Sequence, residues 1–353
     1  MTTENIYTMQ NTEAFIQQWI ADGYAGDVAI VIGDRGGETY RYFASNRGDV
    51  LDGQTLFDMM SVTKIMATAP LFHLAMGDGR LSEADRLGKY FPEAPADKAD
   101  IPLWMLLAHC SGIPRILSSE RFGPDRRAEY IANYLSHPLL FAPGEKYEYS
   151  CGNFVLLGFL LERVYNMPLD LLFDTKIARP LGLTRTGYLP AEDQNIVRST
   201  RRAWEGRLKC SDPINRALYG VSGNAGIFSC IDDMARFGQS LLNRHAALMR
   251  EDIFAKAAAD CLCDQEKYSL GRGLGYVFID DRYDQNAGLF ANGSIGHTGF
   301  SGTAVYADFA NDLFVVSLSN TAYYANKTGD FAAKTSAFRR GLHGALARDL
   351  AGK

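Results

Sequence analysis

A chain of 353 residues with 47% hydrophobic content can bury one large core or two moderate ones, as an ordinary globular protein does. Its formal charge of −5 gives no basic footprint for nucleic acid or an anionic membrane, so neither is expected as a partner. No stretch reaches the roughly 18 apolar residues of a membrane span. The first seven residues also lack the basic start and apolar run of an export signal, so a cytoplasmic location is expected. Cys110, Cys151, Cys210, Cys230, Cys261 and Cys263 lack zinc-type spacing, so reduced thiols and no metal centre are expected.

In chain order, residues 11–20 read as an amphipathic helix behind a polar cap. The β-branched run 28–32, the turn Asp34-Arg35-Gly36-Gly37 and the alternating run 39–43 predict a hairpin. A second helix is predicted to begin near Ser61 and to stop at Gly77-Asp78-Gly79, with a kink at Pro70. From 81 to about 200 the period is mostly helical, with helices over 102–108, 125–135, 153–165 and 169–177. Strand patterns return at 276–280, 294–298, 302–308 and 313–320, the last three as an antiparallel meander, and a helix over 331–350 closes the chain. The order of types predicts an α/β (α+β) fold: an antiparallel sheet flanked by helices, built from residues 1–80 and 205–353, with a helical insertion at 81–204.

Three short stretches carry chemistry. On the predicted second helix Ser61 and Lys64 share a face, and an ammonium one turn from a serine can make that hydroxyl a nucleophile. By itself the pair equally fits a capping serine and a solvated lysine. Tyr147-Glu148-Tyr149-Ser150-Cys151 leads into the helix at 153, where a tyrosine can reach a cleft or simply pack. Gly296-His297-Thr298-Gly299-Phe300-Ser301-Gly302 joins two predicted strands. Its glycines allow close approach of backbone to a ligand, and a tight hairpin with a structural histidine is the plainer alternative.

Taken together, Ser61-X-X-Lys64, then Tyr149-Ser150-Cys151, then His297-Thr298-Gly299, resemble the ordered motifs of the serine β-lactamase and penicillin-binding-protein superfamily. The chain looks most like the class C branch, with its family VIII carboxylesterase, D-aminopeptidase and DD-peptidase members. Leu106-Leu107-Ala108-His109-Cys110-Ser111-Gly112-Ile113, Phe141-Ala142-Pro143-Gly144, Pro180-Leu181-Gly182-Leu183, Gly226-Ile227-Phe228-Ser229 and Leu318-Ser319-Asn320 resemble further family segments.

The resemblance implies a β-lactamase/transpeptidase-like fold with its active site between the α/β and helical parts. It also implies an acyl-enzyme on Ser61, Lys64 holding the serine acidic, and Tyr149 shuttling the proton. The backbone N–H groups of Ser61 and Phe300 would form the oxyanion hole, and Thr298 and Gly299 would line the substrate. The substrate is a small acyl compound, no cofactor is required, and the oligomeric state is left open. A phenol near its usual pKa of ~10 is a base at neutral pH only beside cations, a role open to Lys64 and a protonated His297.

Two residues depart from the class C pattern: Cys151 stands where an asparagine amide is usual, and His297 where lysine is usual. A thiol is a weak hydrogen-bonding group, and a mostly neutral imidazole is a weaker carboxylate binder than an ammonium. Asn153 is expected to point elsewhere. The expectation is an esterase or D-amino-acid-type amidohydrolase. A β-lactamase or DD-carboxypeptidase is the first alternative and a non-catalytic relative the second. Cys151 as nucleophile is disfavoured, since no histidine adjoins it. The remaining histidines read as structural or surface groups, and Gly271-Arg272-Gly273-Leu274-Gly275 is too isolated for a nucleotide loop.

Overall fold

The structure is a computed structural model that describes residues 8–46, 51–115, 127–191, 195–197, 202–204, 207–325 and 330–351. Residues 1–7 and the first two residues of the helix predicted at 125–135 lie outside these.

Seven antiparallel strands form the main sheet: β1 (Asp27–Asp34), β2 (Gly37–Ser45), β3 (Gly271–Arg272), β4 (Val277–Phe278), β5 (Ile295–Thr298), β6 (Ala304–Asp308) and β7 (Leu313–Ser319). Their spatial order is β2-β1-β7-β6-β5-β4-β3. The N-terminal hairpin is therefore joined to the C-terminal meander through β1 and β7, with Val28 opposite Ser319 and Ile32 opposite Val315. Both faces of the sheet are covered, which is why 28–32 is apolar throughout rather than alternating. Val28, Ile30 and Ile32 pack with Tyr306, Val315, Ile16, Phe338 and Leu342 under the terminal helices Gln10–Ala21 and Phe331–Leu350. Ala29, Val31, Val305, Phe314, Val316 and Leu318 join the larger core on the other face, with Met234, Phe237 and Leu241 of the helix Ile231–Leu242.

The chain that begins near Ser61 is not one regular helix. A 3₁₀ turn at Met60–Val62 runs into a π-helical stretch at Lys64–Thr68 and then into the α-helix Ala69–Gly77. Pro70 is the second residue of that last segment, and because the chain before it is already helical it leaves a carbonyl of the preceding turn without its N–H partner. The helix widens ahead of the proline where a kink at it was expected. The helix at 153–165 begins two residues earlier than predicted, at Cys151, and runs to Tyr165. It is nearly all buried and packs beside the π-helical stretch.

Asn320, just past β7, ties the two sequence-distant parts of the sheet together. Its side-chain oxygen accepts the N–H groups of Gly26 and Asp27, both at 3.0 Å, and its amide donates to Asp27 Oδ2 at 2.8 Å. All these groups are buried, so Asn320→Ala strands them in the interior. It is expected to cost about 3 kcal/mol in urea or thermal denaturation; a loss under about 1 kcal/mol would contradict this account of the seam.

Candidate active site

Ser61 follows a two-residue strand, Phe57–Asp58, which pairs with Ile227–Ser229. The turn between strand and helix puts Met60 at φ +48°, the left-handed region that a methionine enters only when held there. The buried carboxylate of Asp58 does the holding: Oδ1 accepts the Met60 N–H at 3.0 Å and Oδ2 the Ser211 N–H at 2.7 Å. Further ties come from Met59 N–H to Ile227 O, and from Ile227 N–H to Thr63 Oγ1 at 3.1 Å. The loop after β5 also reaches this turn, where Ser301 Oγ donates to Asp58 O at 3.0 Å. Ser61 is thus the part-exposed residue of a turn fixed from three directions.

Lys64 is wholly buried, and its Nζ lies 3.1 Å from Ser61 Oγ, 2.8 Å from Asn224 O and 3.8 Å from Cys151 Sγ. The same ammonium lies 5.1 Å from the ring centre of Tyr149 and 5.5 Å from that of Phe154. Asn224 comes this close because Gly223 and Gly158 pack backbone to backbone: a Cβ on Gly223 would meet Phe154 O at 2.1 Å. Burial pulls the Lys64 pKa down, but the neighbouring Cys151 and Tyr149 and a hydrogen bond with Tyr149 outweigh it. The side chain stays a cation.

Tyr149 immediately precedes the N-cap Ser150 of the helix Cys151–Tyr165. His109, at φ +58°, sets its position. The His109 carbonyl accepts the Glu148 N–H at 2.9 Å, its Nδ1 accepts the Ser150 N–H at 3.1 Å, and its ring lies 4.4 Å from that of Tyr149. Burial, with the charges of Arg272 and Lys64, holds His109 far below its usual pKa, which fits a neutral ring accepting at Nδ1. Burial raises the Tyr149 phenol, against the charge of Lys64 and hydrogen bonds with Lys64 and Ser61. Hydroxyl, amine and phenol therefore meet in one place, although the sequence spreads them over nearly ninety positions.

The β5 residues arrive from the other side. Gly299 lies so close to the Ser61 turn that a Cβ there would sit 2.1 Å from Thr303 Oγ1 and 2.7 Å from Met59 O. Thr298 is half-buried and the Phe300 ring is exposed. His297 is buried, its ring centre 6.2 Å from that of Tyr149, with Nδ1 2.8 Å from Thr298 O. Burial, then the charges of Arg272 and Lys64, drives its pKa well below the usual value. The structure therefore corrects the expectation of a protonated His297. The ring is neutral, donates Nδ1–H to the Thr298 carbonyl and keeps Nε2 as an acceptor.

Cys151 Sγ touches Lys64 through a weak contact where an amide is usual. Asn153 turns away, as expected, and its Oδ1 accepts Ser111 Oγ–H at 2.6 Å. All six cysteines are free thiols. His73, His245 and His343 are buried structural groups, and His137 is at the surface. Sequence reasoning placed His109 inside a matching segment without seeing that it orients Tyr149. Asn224, Asp58 and Arg272 carried no signal, because each acts through backbone or long-range contacts.

This sheet, with helices on both faces and a serine–lysine–tyrosine cluster beside the end of β5, is the architecture of the β-lactamase and penicillin-binding-protein hydrolases. A family model, Beta-lactamase, matches residues 12–337, and the chain belongs to that family. Among similar proteins is a putative D-alanyl-D-alanine carboxypeptidase of Escherichia coli (strain K12), 28% identical over 90% of this chain and 83% of its own length. Another is an N-acetylmuramyl-L-alanine amidase of Bacillus subtilis (strain 168), 27% identical over 88% of this chain and 80% of its own. Among solved structures, EstCE1, "a hydrolase with promiscuous acyltransferase activity", superposes with TM-score 0.75 at 21% identity, covering 95% of this chain and 98% of that one. A penicillin-binding protein homolog from Caulobacter crescentus gives 0.74 at 17% identity, covering 97% of each. No helix among the described residues is long and apolar enough to cross a membrane.

Burial pushes the Asp58 carboxyl up to about 6, against the hydrogen bonds from Ser211 and Met60. A carboxyl raised in the folded state costs stability where it is ionised, above that pKa, and the cost is relieved as pH falls toward the unfolded value. Asp58→Asn removes this dependence. Relative to wild type, its unfolding free energy is expected to gain about 2 kcal/mol between pH 4.5 and pH 7.5 in denaturant titrations. A difference that does not change with pH would contradict a strongly raised Asp58.

Proposed function

We propose that the chain is a serine hydrolase that works through an acyl-enzyme on Ser61, acting on small esters or D-amino-acid-type amides. The observation that carries this reading is the 3.1 Å approach of Lys64 Nζ to Ser61 Oγ, with the phenol of Tyr149 beside both. In the form that has lost one proton, a Tyr149 phenolate beside the Lys64 ammonium, the phenolate takes the Ser61 Oγ proton as Oγ attacks the acyl carbonyl. The pair then hands the proton to the departing alcohol or amine, and water resolves the acyl-serine by the reverse route. The developing oxyanion is met by the N–H groups of Ser61 and Phe300, donors that each contribute roughly 10²–10³ in turnover in such sites. Thr298 and Gly299 line the acyl side.

The cleft on this reading lies between an α/β unit, residues 1–80 and 205–353, and a helical unit, 81–204. A cytoplasmic location goes with it, as does the absence of nucleic-acid and membrane partners. A second reading, β-lactamase or DD-carboxypeptidase, is favoured by the similarity to proteins named D-alanyl-D-alanine carboxypeptidase. The neutral His297 and the thiol of Cys151 weigh against it. Nitrocefin turnover rivalling that of simple esters would favour this second reading.

With 4-nitrophenyl acetate, Ser61→Ala is expected to abolish turnover. Lys64→Ala and Tyr149→Phe should each lower kcat by at least about 10²-fold. Wild-type rates in Ser61→Ala would defeat the proposal.

A further inference from the structure

The turn that follows β5 is tied down from behind. Gly299 O accepts the Gly302 N–H at 3.1 Å, which closes a tight turn around Phe300 and Ser301, and it also accepts Nη1 of Arg339 at 3.2 Å. Arg339 comes from the closing helix Phe331–Leu350 and is buried to 5% exposure. Its Nε donates to Gln285 Oε1 at 2.6 Å. Gln285 is itself fixed on that helix, since its carbonyl accepts His343 Nδ1–H at 2.6 Å, one turn beyond Arg339, while the neighbouring Asp284 pairs with Arg340. Helix, connecting loop and guanidinium therefore form one brace whose far end bears on Gly299.

Both acceptors of Arg339 are neutral carbonyl oxygens, and among the described residues it makes no ion pair with a carboxylate. A neutral amide could make the same two bonds without the cost of burying a charge. What the guanidinium adds is its field, and that field reaches the cleft: Arg339 is one of the cations that act on His297. Gly299 O and Phe300 N–H belong to one peptide unit, and no cis bond occurs among the described residues, so the two point in opposite directions. Fixing the carbonyl against Arg339 fixes the N–H away from it. A cation on the oxygen also polarises the unit and makes its N–H a stronger donor. The near side of the same turn is held against the serine: Ser301 Oγ donates to Asp58 O at 3.0 Å, and a Cβ on Gly299 would sit 2.7 Å from Met59 O.

We infer that Arg339 is a positioning residue for the oxyanion hole: it aims and polarises the Gly299–Phe300 peptide, whose N–H meets the developing oxyanion beside Ser61. This rests on the acyl-enzyme reading of Ser61. Arg339 touches no substrate atom on this view, so its effect belongs to the tetrahedral state and not to substrate binding.

The test follows 4-nitrophenyl acetate turnover alongside inhibition by phenylboronic acid, whose boron takes the Ser61 oxygen to give a tetrahedral anion, the serine proton going to the Lys64/Tyr149 pair. Rates are put on the folded fraction by titrating active sites with a fluorophosphonate. Acylation and deacylation both pass through the oxyanion, so in Arg339→Met kcat is expected to fall at least about 20-fold with KM within about threefold. The inhibition constant for phenylboronic acid rises by a similar factor, and Arg339→Lys, which keeps the charge, recovers part of both. Should Arg339→Met fail to fold, Arg339→Gln takes its place with the same expected signs. A merely structural arginine would lower the melting temperature and leave both readouts per active site as in wild type. A kcat within about threefold of wild type in the neutral variant, or a fallen kcat with unchanged phenylboronic acid affinity, overturns the inference. A wild type that neither turns over 4-nitrophenyl acetate nor reacts with the fluorophosphonate would instead strike the acyl-enzyme reading itself.

Discussion

Burying one ammonium group organises this molecule. Lys64 has no exposed surface, and a charge taken out of water must be met by oxygen, sulfur or aromatic faces, or it will not stay. The partners come from three places in the chain: Ser61 from its own turn, Asn224 from the Gly223 segment, and Cys151, Tyr149 and Phe154 from the start of a buried helix. Satisfying Lys64 therefore draws Ser61, Tyr149 and Asn224 to one place. The packing that stabilises the cation and the geometry suited to acyl transfer are the same set of contacts.

The balance of charge around that group then sets the character of the cleft. Burial first, and then the charges of Arg272, Lys64 and Arg339, keep the imidazole of His297 neutral. Its Nδ1–H is tied to the neighbouring carbonyl, which also fixes the tautomer. A lysine at position 297 would add a further cation to this crowd.

Much of this was legible in the sequence, for physical reasons. The apolar run at 28–32 and the meander over 294–320 announce strands because period-two or two-sided burial leaves its mark on every residue. The terminal helix, Phe331–Leu350, was bounded correctly for the same reason. Ser61, Lys64, Tyr149 and His297 could be named because their spacing resembles a known motif set, and the structure gathers them. The irregular helix around Pro70 escaped, since a π-helical stretch has no compositional signature. So did the neutral state of His297, which depends on its burial and then on Arg272, and the hold of His109 on Tyr149. These are facts about which strand lies beside which, and a one-dimensional pattern carries no record of them.

The central claim is that the hydroxyl of Ser61, the amine of Lys64 and the phenol of Tyr149 form one reactive centre. Its most direct measurement is a crystal structure of the protein after treatment with a fluorophosphonate. The account predicts a phosphonyl group on Ser61 Oγ alone, with Lys64 Nζ and the Tyr149 hydroxyl both within hydrogen-bonding distance of the modified oxygen. A label on Cys151 or elsewhere, or a labelled Ser61 with Lys64 and Tyr149 out of reach, would contradict it.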